Sequence, residues 1–101
     1  MIHKIFSVYD SKAEAFLPPF FLPEQGMATR VFTDCCNDDS HQFGKHPEDY
    51  TLFFLGTWND QNAFMAIEAT PKSLGVGVEF TRQNADQDKK EPDLVALEQV
   101  N

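Results

Sequence analysis

Two thiols and two imidazoles lie close together in this sequence: Cys35, Cys36, His41 and His46. Thiolate sulfur and imidazole nitrogen are the donors of structural zinc sites. Those sites, however, draw each cysteine pair from a spaced Cys-x-x-Cys knuckle. Here the cysteines are adjacent, and on a helix adjacent side chains diverge by about 100°. The pattern therefore reads as core thiols and surface histidines, with no metal expected. A disulfide between neighbours is strained, and a reducing compartment would open it, so both cysteines are expected to be free.

The run Gly44-Lys45-His46-Pro47-Glu48-Asp49-Tyr50 supports two chemistries. As a recognition loop, Lys45 would contact a phosphate, His46 would add a pH-dependent donor, and Tyr50 would stack or hydrogen-bond. As a connector, Pro47-Glu48-Asp49 would start a turn, the acids would accept from free backbone N–H groups, and Tyr50 would enter the core. Turn chemistry accounts for Gly, Pro and Asp without a ligand.

A third set is aromatic: Phe20, Phe21, Phe53, Phe54 and Trp58. Successive residues of a strand point to opposite faces. One ring of Phe20-Phe21 and one of Phe53-Phe54 must therefore leave the side that a helix covers. That ring needs a partner protein, a second subunit or a stacked base. The cations Lys4, Lys12, Arg30, Lys45, Lys72 and Arg82 are scattered, as solvated surface charges usually are. Lys4, Arg30 and Lys45 would line a groove only if folding brings them together. Candidate nucleic-acid contacts are thus Lys4, Arg30, Lys45, His46, Tyr50, Phe53, Phe54 and Trp58. No Gly-rich phosphate loop, His-Glu-x-x-His or nucleophile elbow occurs. Neither enzymatic activity nor a cofactor is expected.

The elements that must position these residues follow from periodicity. Ile2–Asp10 alternates as a strand, with His3, Ile5, Ser7 and Tyr9 on one face. Residues 15–21 are extended, but Pro18 and Pro19 restrict them to an edge strand or arm. Pro23-Glu24 opens a helix, proline being favoured at the first position. Its apolar stripe is Met27, Ala28, Val31, Phe32, Cys35 and Cys36, and Asn37 is expected to close it in the left-handed conformation. Residues 41–50 read as a loop. Residues 51–58 form the best strand, with Leu52, Phe54 and Trp58 on one face and Phe53 and Leu55 on the other. Asn59-Asp60-Gln61-Asn62 is hairpin chemistry. Residues 63–68 return as a partner strand broken at Thr70-Pro71-Lys72, and residues 75–78 are irregular. The fold class is α+β, in the order ββαββ: a mostly antiparallel four-stranded sheet with one helix across one face.

The chain has 101 residues and ten Phe, enough for one core without staples. Residues 1–83 are expected to form one domain. Residues 84–101 hold five acids, two lysines and no aromatic residue, and are expected to be a disordered tail with at most a helical turn at 92–98. The formal net charge of −8 repels phosphate backbones and anionic membranes at long range. Membrane binding is therefore not expected. A stacking platform can still hold single-stranded nucleic acid. With neither a signal peptide nor an apolar run of spanning length, the expected compartment is the cytoplasm.

Several stretches together carry a resemblance. They are Ile5-Phe6-Ser7-Val8-Tyr9-Asp10-Ser11-Lys12-Ala13, Pro19-Phe20-Phe21, Gly26-Met27-Ala28-Thr29-Arg30-Val31-Phe32, the Gly44-to-Tyr50 run, Leu55-Gly56-Thr57-Trp58 and Asp60. Over residues 2–75 the chain resembles the small nonstructural protein of gokushoviruses, single-stranded DNA phages of the microvirus family. It departs from the usual pattern at Cys35-Cys36 and in its acidic tail. The resemblance implies a protein of the bacterial host cytoplasm, absent from the mature virion, acting in viral DNA synthesis or the switch to packaging. It also implies single-stranded DNA as a partner. The alternative is an acidic adaptor or homodimer that docks on a replication, capsid-assembly or host protein without touching DNA.

Overall fold

A computed structural model describes residues 1–82 of the chain. The acidic tail expected at 84–101 and the turn expected at 92–98 lie outside the described residues. The elements are β1 (Ile2–Asp10), β2 (Ala15–Phe16), β3 (Phe20–Leu22), α1 (Gln25–Cys36), α2 (Gln42–Lys45), β4 (Tyr50–Asn59) and β5 (Met65–Val76). Short 3₁₀ turns cover Pro47–Asp49 and Gly77–Phe80. The class is α+β, as expected, but the sheet has five strands rather than four.

The extra strand comes from the prolines. Residues 15–21 were expected to run as one piece. Instead β2 pairs with Tyr9 and Asp10, and β3 pairs with Lys4, Ile5 and Phe6, both along the same edge of β1. Between them Pro18 and Pro19 have no N–H to give the ladder, so the chain steps off β1 and rejoins it. Ser7, only 1% exposed, donates its hydroxyl to the Leu17 carbonyl in this step (2.6 Å). That bond offsets the cost of burying a hydroxyl.

β1 pairs along its other edge with β4, and β4 with β5, all antiparallel. Two irregularities matter. Leu55 is an extra residue in β4: Phe54 faces Phe6 but Gly56 faces Ile5. One inserted residue reverses which side every later residue occupies. Trp58 consequently joins the Phe53 side, not the Leu52 and Phe54 side that strict alternation gave it. Opposite the same point β5 makes an excursion, with Ile67 paired to Gly56 and Lys72 to Phe54. The break expected at Thr70-Pro71-Lys72 is this excursion. β5 nevertheless resumes and continues to Val76, well past the strand end expected at residue 68.

α1 lies on one side of the sheet. Its buried residues are Ala28, Phe32 and Cys36, one helical row four residues apart. Met27 and Val31 are 46% and 49% exposed, so the six-residue stripe is only half inserted. They stand about 100° round the helix from the buried row, beyond what this narrow sheet floor reaches. Pro23 precedes the capping residue Glu24 and is not itself the first helical position. Asn37 does not take the left-handed conformation (φ −103°). It closes the helix with its side chain: Nδ2 donates to the carbonyls of Thr33 (2.8 Å) and Phe80 (3.0 Å), and Oδ1 accepts from the Arg82 N–H (2.7 Å). The core beneath α1 consists of Phe6, Val8, Ala28, Phe32, Cys36, Tyr50 and Leu52.

Candidate nucleic-acid interface

The segment 41–50 is not an open loop. His41 caps α2, its Nδ1 accepting from the Phe43 N–H (3.0 Å). Gly44 passes so close to the Asp38 carbonyl that a Cβ would collide with it, and Gly77 is held likewise against the Pro47 carbonyl. Tyr50 is 8% exposed, with its ring 4.5 Å from that of Phe43. Burial, followed by Asp10 and Asp49, raises its phenol pKa. A ring enclosed in the core does not stack on a base, so the geometry here is that of the connector reading. Lys45 and His46 are exposed at the end of α2. His46, Glu48 and Asp49 bring ligand atoms within 4.8 Å of one another, as exposed acids beside an imidazole do without an ion.

The cysteines behave as core thiols. Burial, then the neighbouring Cys35, pushes the Cys36 pKa up to about 11. Burial, then Asp34 and Asp38, raises that of Cys35. Both are free.

The two aromatic pairs divide between the faces. Phe20 and Phe54 turn toward the helix and pack on Phe6, at 5.7 and 5.9 Å. Lys72 sits 6.0 Å over the Phe54 ring, a cation–π contact on the same side. Phe21 and Phe53 turn away. On that side Phe53 lies 5.3 Å from Phe16, which lies 4.9 Å from Tyr9. Phe21 lies 5.6 Å from Trp58, which lies 5.4 Å from His3. Two short rows of edge-to-face or tilted rings thus stand on the face opposite α1, one toward each end of β1, with Ile5 and Ser7 between them. Phe16 and Phe21 remain 46% and 39% exposed.

Register extends this face across the sheet. Ile67 is paired with Gly56, Met65 with Trp58, Ser73 with Phe53 and Val76 with Thr51. Paired residues share a side. Among the described residues in the ladder on this side, His3 alone carries an ionisable side chain besides the Tyr9 phenol. Lys4 and Lys72 fall on the helix side by register, paired with Thr57 and Phe54. Arg30 is exposed on α1. The eight candidate residues are therefore not gathered. Phe53 and Trp58 share the open face. Phe54 and Tyr50 point toward the helix layer, and Lys4, Arg30, Lys45 and His46 lie off the open face.

The members outside the eight candidates are His3, Tyr9, Phe16 and Phe21, of which Phe21 already stood in the aromatic set. Alternation in β1 already put His3 and Tyr9 together. Phe16 needed the β1–β2 register, which no local pattern encodes.

His3 is also tied to the hairpin end. Its Nε2 lies 2.9 Å from one Asp60 carboxylate oxygen, and the N-terminal amine donates to the other (2.7 Å). These hydrogen bonds, the amine's first, hold the Asp60 carboxyl below the ordinary range.

No curated protein and no solved structure matches the chain. Residues 3–80 match the family described as Phage ORF5 protein. The match runs from His3 in β1 through the second 3₁₀ turn, hence over both aromatic rows and the Gly44-to-Tyr50 run. With most of its length matched, this chain belongs to the Phage ORF5 protein family.

Proposed function

We propose that this phage protein binds single-stranded viral DNA on the open face of its sheet, during genome synthesis or the switch to packaging. The observation that supports this is the pair of aromatic rows, Tyr9–Phe16–Phe53 and His3–Trp58–Phe21, packed edge to face or tilted on the face that α1 leaves bare. Each base stacked on an exposed ring contributes about 1–3 kcal/mol whatever its sequence. Because cations are sparse on this face, stacking supplies most of the affinity and phosphate contacts little. The protein then acts in the cytoplasm of a bacterial host and does not enter the virion, as the resemblance to the gokushovirus nonstructural protein implies.

Trp58 is the single tryptophan, so its fluorescence reports directly from the face. Titration with an oligodeoxythymidylate is expected to quench it saturably. The log–log salt slope should be shallow, about −1 to −2, since each neutralised phosphate adds only about −0.7. Phe16→Ala and Phe53→Ala should each weaken binding by about 5- to 100-fold. Absence of binding at low salt removes this reading.

A second reading is favoured by the same lack of charge: the face docks on a viral or host replication protein. An aromatic patch with charge only at its His3 end is what the centre of a protein interface presents. In that case Phe16→Ala and Phe53→Ala abolish capture of the partner while oligonucleotide leaves Trp58 emission unchanged.

A further inference from the structure

The entry to β5 carries the densest run of exposed apolar side chains in the described chain: Phe64, just before the strand, is 66% exposed, Met65 49% and Ile67 60%. β5 is an edge strand, paired with β4 and with no other strand among the described residues. Residues 61–67 contain no charged side chain. Apolar edges are ordinarily blunted by lysine, proline or a bulge. β5 has all three, as Pro71, Lys72 and the 68–71 excursion, but only beyond Ile67. The guards bound a short open segment and leave it uncovered.

We propose that a second copy of this chain covers it, two β5 strands pairing antiparallel about a twofold axis at Ala66. Ala66 then faces its own copy, Met65 faces Ile67 of the other chain, and Phe64 faces Glu68. Such an interface uses the same patch twice. Because the segment is uncharged, self-pairing sets no like charges opposite one another, even though each chain carries a formal −8. A basic partner would find no acid there to recognise before Glu68. The 68–71 excursion stops the ladder, so the pair closes without growing into a filament. Eight apolar side chains, Phe64 to Ile67 of each chain, and the paired backbone bury on the order of 1,000 Å², the size of a weak, transient interface. The expected dissociation constant is about 1–100 μM. The axis stands normal to the sheet, so both aromatic faces lie on one side. That consequence alone rests on the function proposed above; the dimer stands without it.

The test is sedimentation of the full chain, without DNA, from about 1 μM to about 1 mM. The weight-average mass should climb from 11.5 kDa toward twice that value. Ile67→Lys should hold it at the monomer with an unchanged circular-dichroism spectrum. Val31→Lys, on the exposed flank of α1, should dimerise like the parent. If Ile67→Lys misfolds, Ala66→Cys decides instead. Residues directly opposite in an antiparallel pair have Cα atoms about 4.5–5.5 Å apart, within reach of a disulfide. Mild oxidation should therefore link Ala66→Cys chains well above the background of the native thiols, and Ala13→Cys chains should stay at that background. A monomer at every concentration, equal behaviour of Ile67→Lys and Val31→Lys, or linkage at Ala66 no better than at Ala13 overturns the proposal. No DNA is present, so failure here is distinct from failure of DNA binding.

Discussion

Phe21 and Trp58 meet across a strand to which neither belongs: their rings stand 5.6 Å apart, edge to face, on the side of β1 where Ile5 is 3% exposed. Phe21 is paired with Ile5 from one edge, and Trp58 reaches over from β4 only because the Leu55 bulge turned it to this side. The contact therefore ties the arm of β3 to the main ladder. Edge-to-face pairs contribute about 0.5–1.5 kcal/mol beyond their burial. Phe21→Ala is expected to lower stability by about 1–2 kcal/mol in urea unfolding and to shift Trp58 emission to the red. Met27→Ala, on the open flank of α1, should stay within about 0.5 kcal/mol and leave the emission unchanged.

The same substitution at two glycines should act with opposite sign. A Cβ at Gly44 would strike the Asp38 carbonyl, a backbone atom that cannot swing away. Gly44→Ala is expected to cost about 1–3 kcal/mol as the turn is forced apart. Gly26, in the first turn of α1, has nothing within 4 Å of a built Cβ. Gly26→Ala should stabilise by about 0.5–1 kcal/mol through lower chain entropy and better helix propensity. Thermal and urea unfolding of the two variants separate the cases.

Asn37 holds the end of α1 to the segment that follows the second 3₁₀ turn. Asn37→Ala leaves the Phe80 carbonyl and the Arg82 N–H without their side-chain partner. A cost of about 1–3 kcal/mol is expected from the unsatisfied groups. Asn37→Asp keeps an acceptor for the Arg82 N–H but loses the donor and sets a negative charge at a helix C-terminus. It should also destabilise, and hydrogen exchange of the Arg82 amide should rise more in Asn37→Ala than in Asn37→Asp.

The buried thiols give a pH dependence on the alkaline side. With its pKa pushed up to about 11, Cys36 is almost wholly thiol at neutral pH. Alkylation of the native protein near pH 8 should be slow, and should spare Cys36 relative to the half-buried Cys35 until the chain unfolds. In the unfolded chain the same thiol ionises near about 8.5. The folded value lies higher, so the stabilising contribution is whole below that unfolded value. It is lost as pH rises through the folded one, because the unfolded chain then binds fewer protons. Stability measured between about pH 8.5 and pH 11 should fall. Cys36→Ala should flatten that decline.

Local chemistry in the chain determined the class of fold, the single long helix, the strands β1 and β4 and the hairpin after Asn59. Period-two alternation and helical spacing are properties of neighbouring residues and need nothing else. They also determined that Phe20 and Phe21, and Phe53 and Phe54, must part company, since adjacent strand residues cannot share a side. Tertiary structure alone decided which other residues join them. The Leu55 bulge is a mismatch between two strands, legible in neither, and it carried Trp58 across the sheet. Phe16 became a neighbour of Phe53 through pairings with β1 that bring distant segments into line. Tyr50, exposed in one reading of its motif and buried in the other, was settled by the packing of α2 and β4 around it. Sequence spacing fixes how a segment repeats, but the side on which each repeat lands depends on register. Register is set by long-range hydrogen bonds and by the core they close.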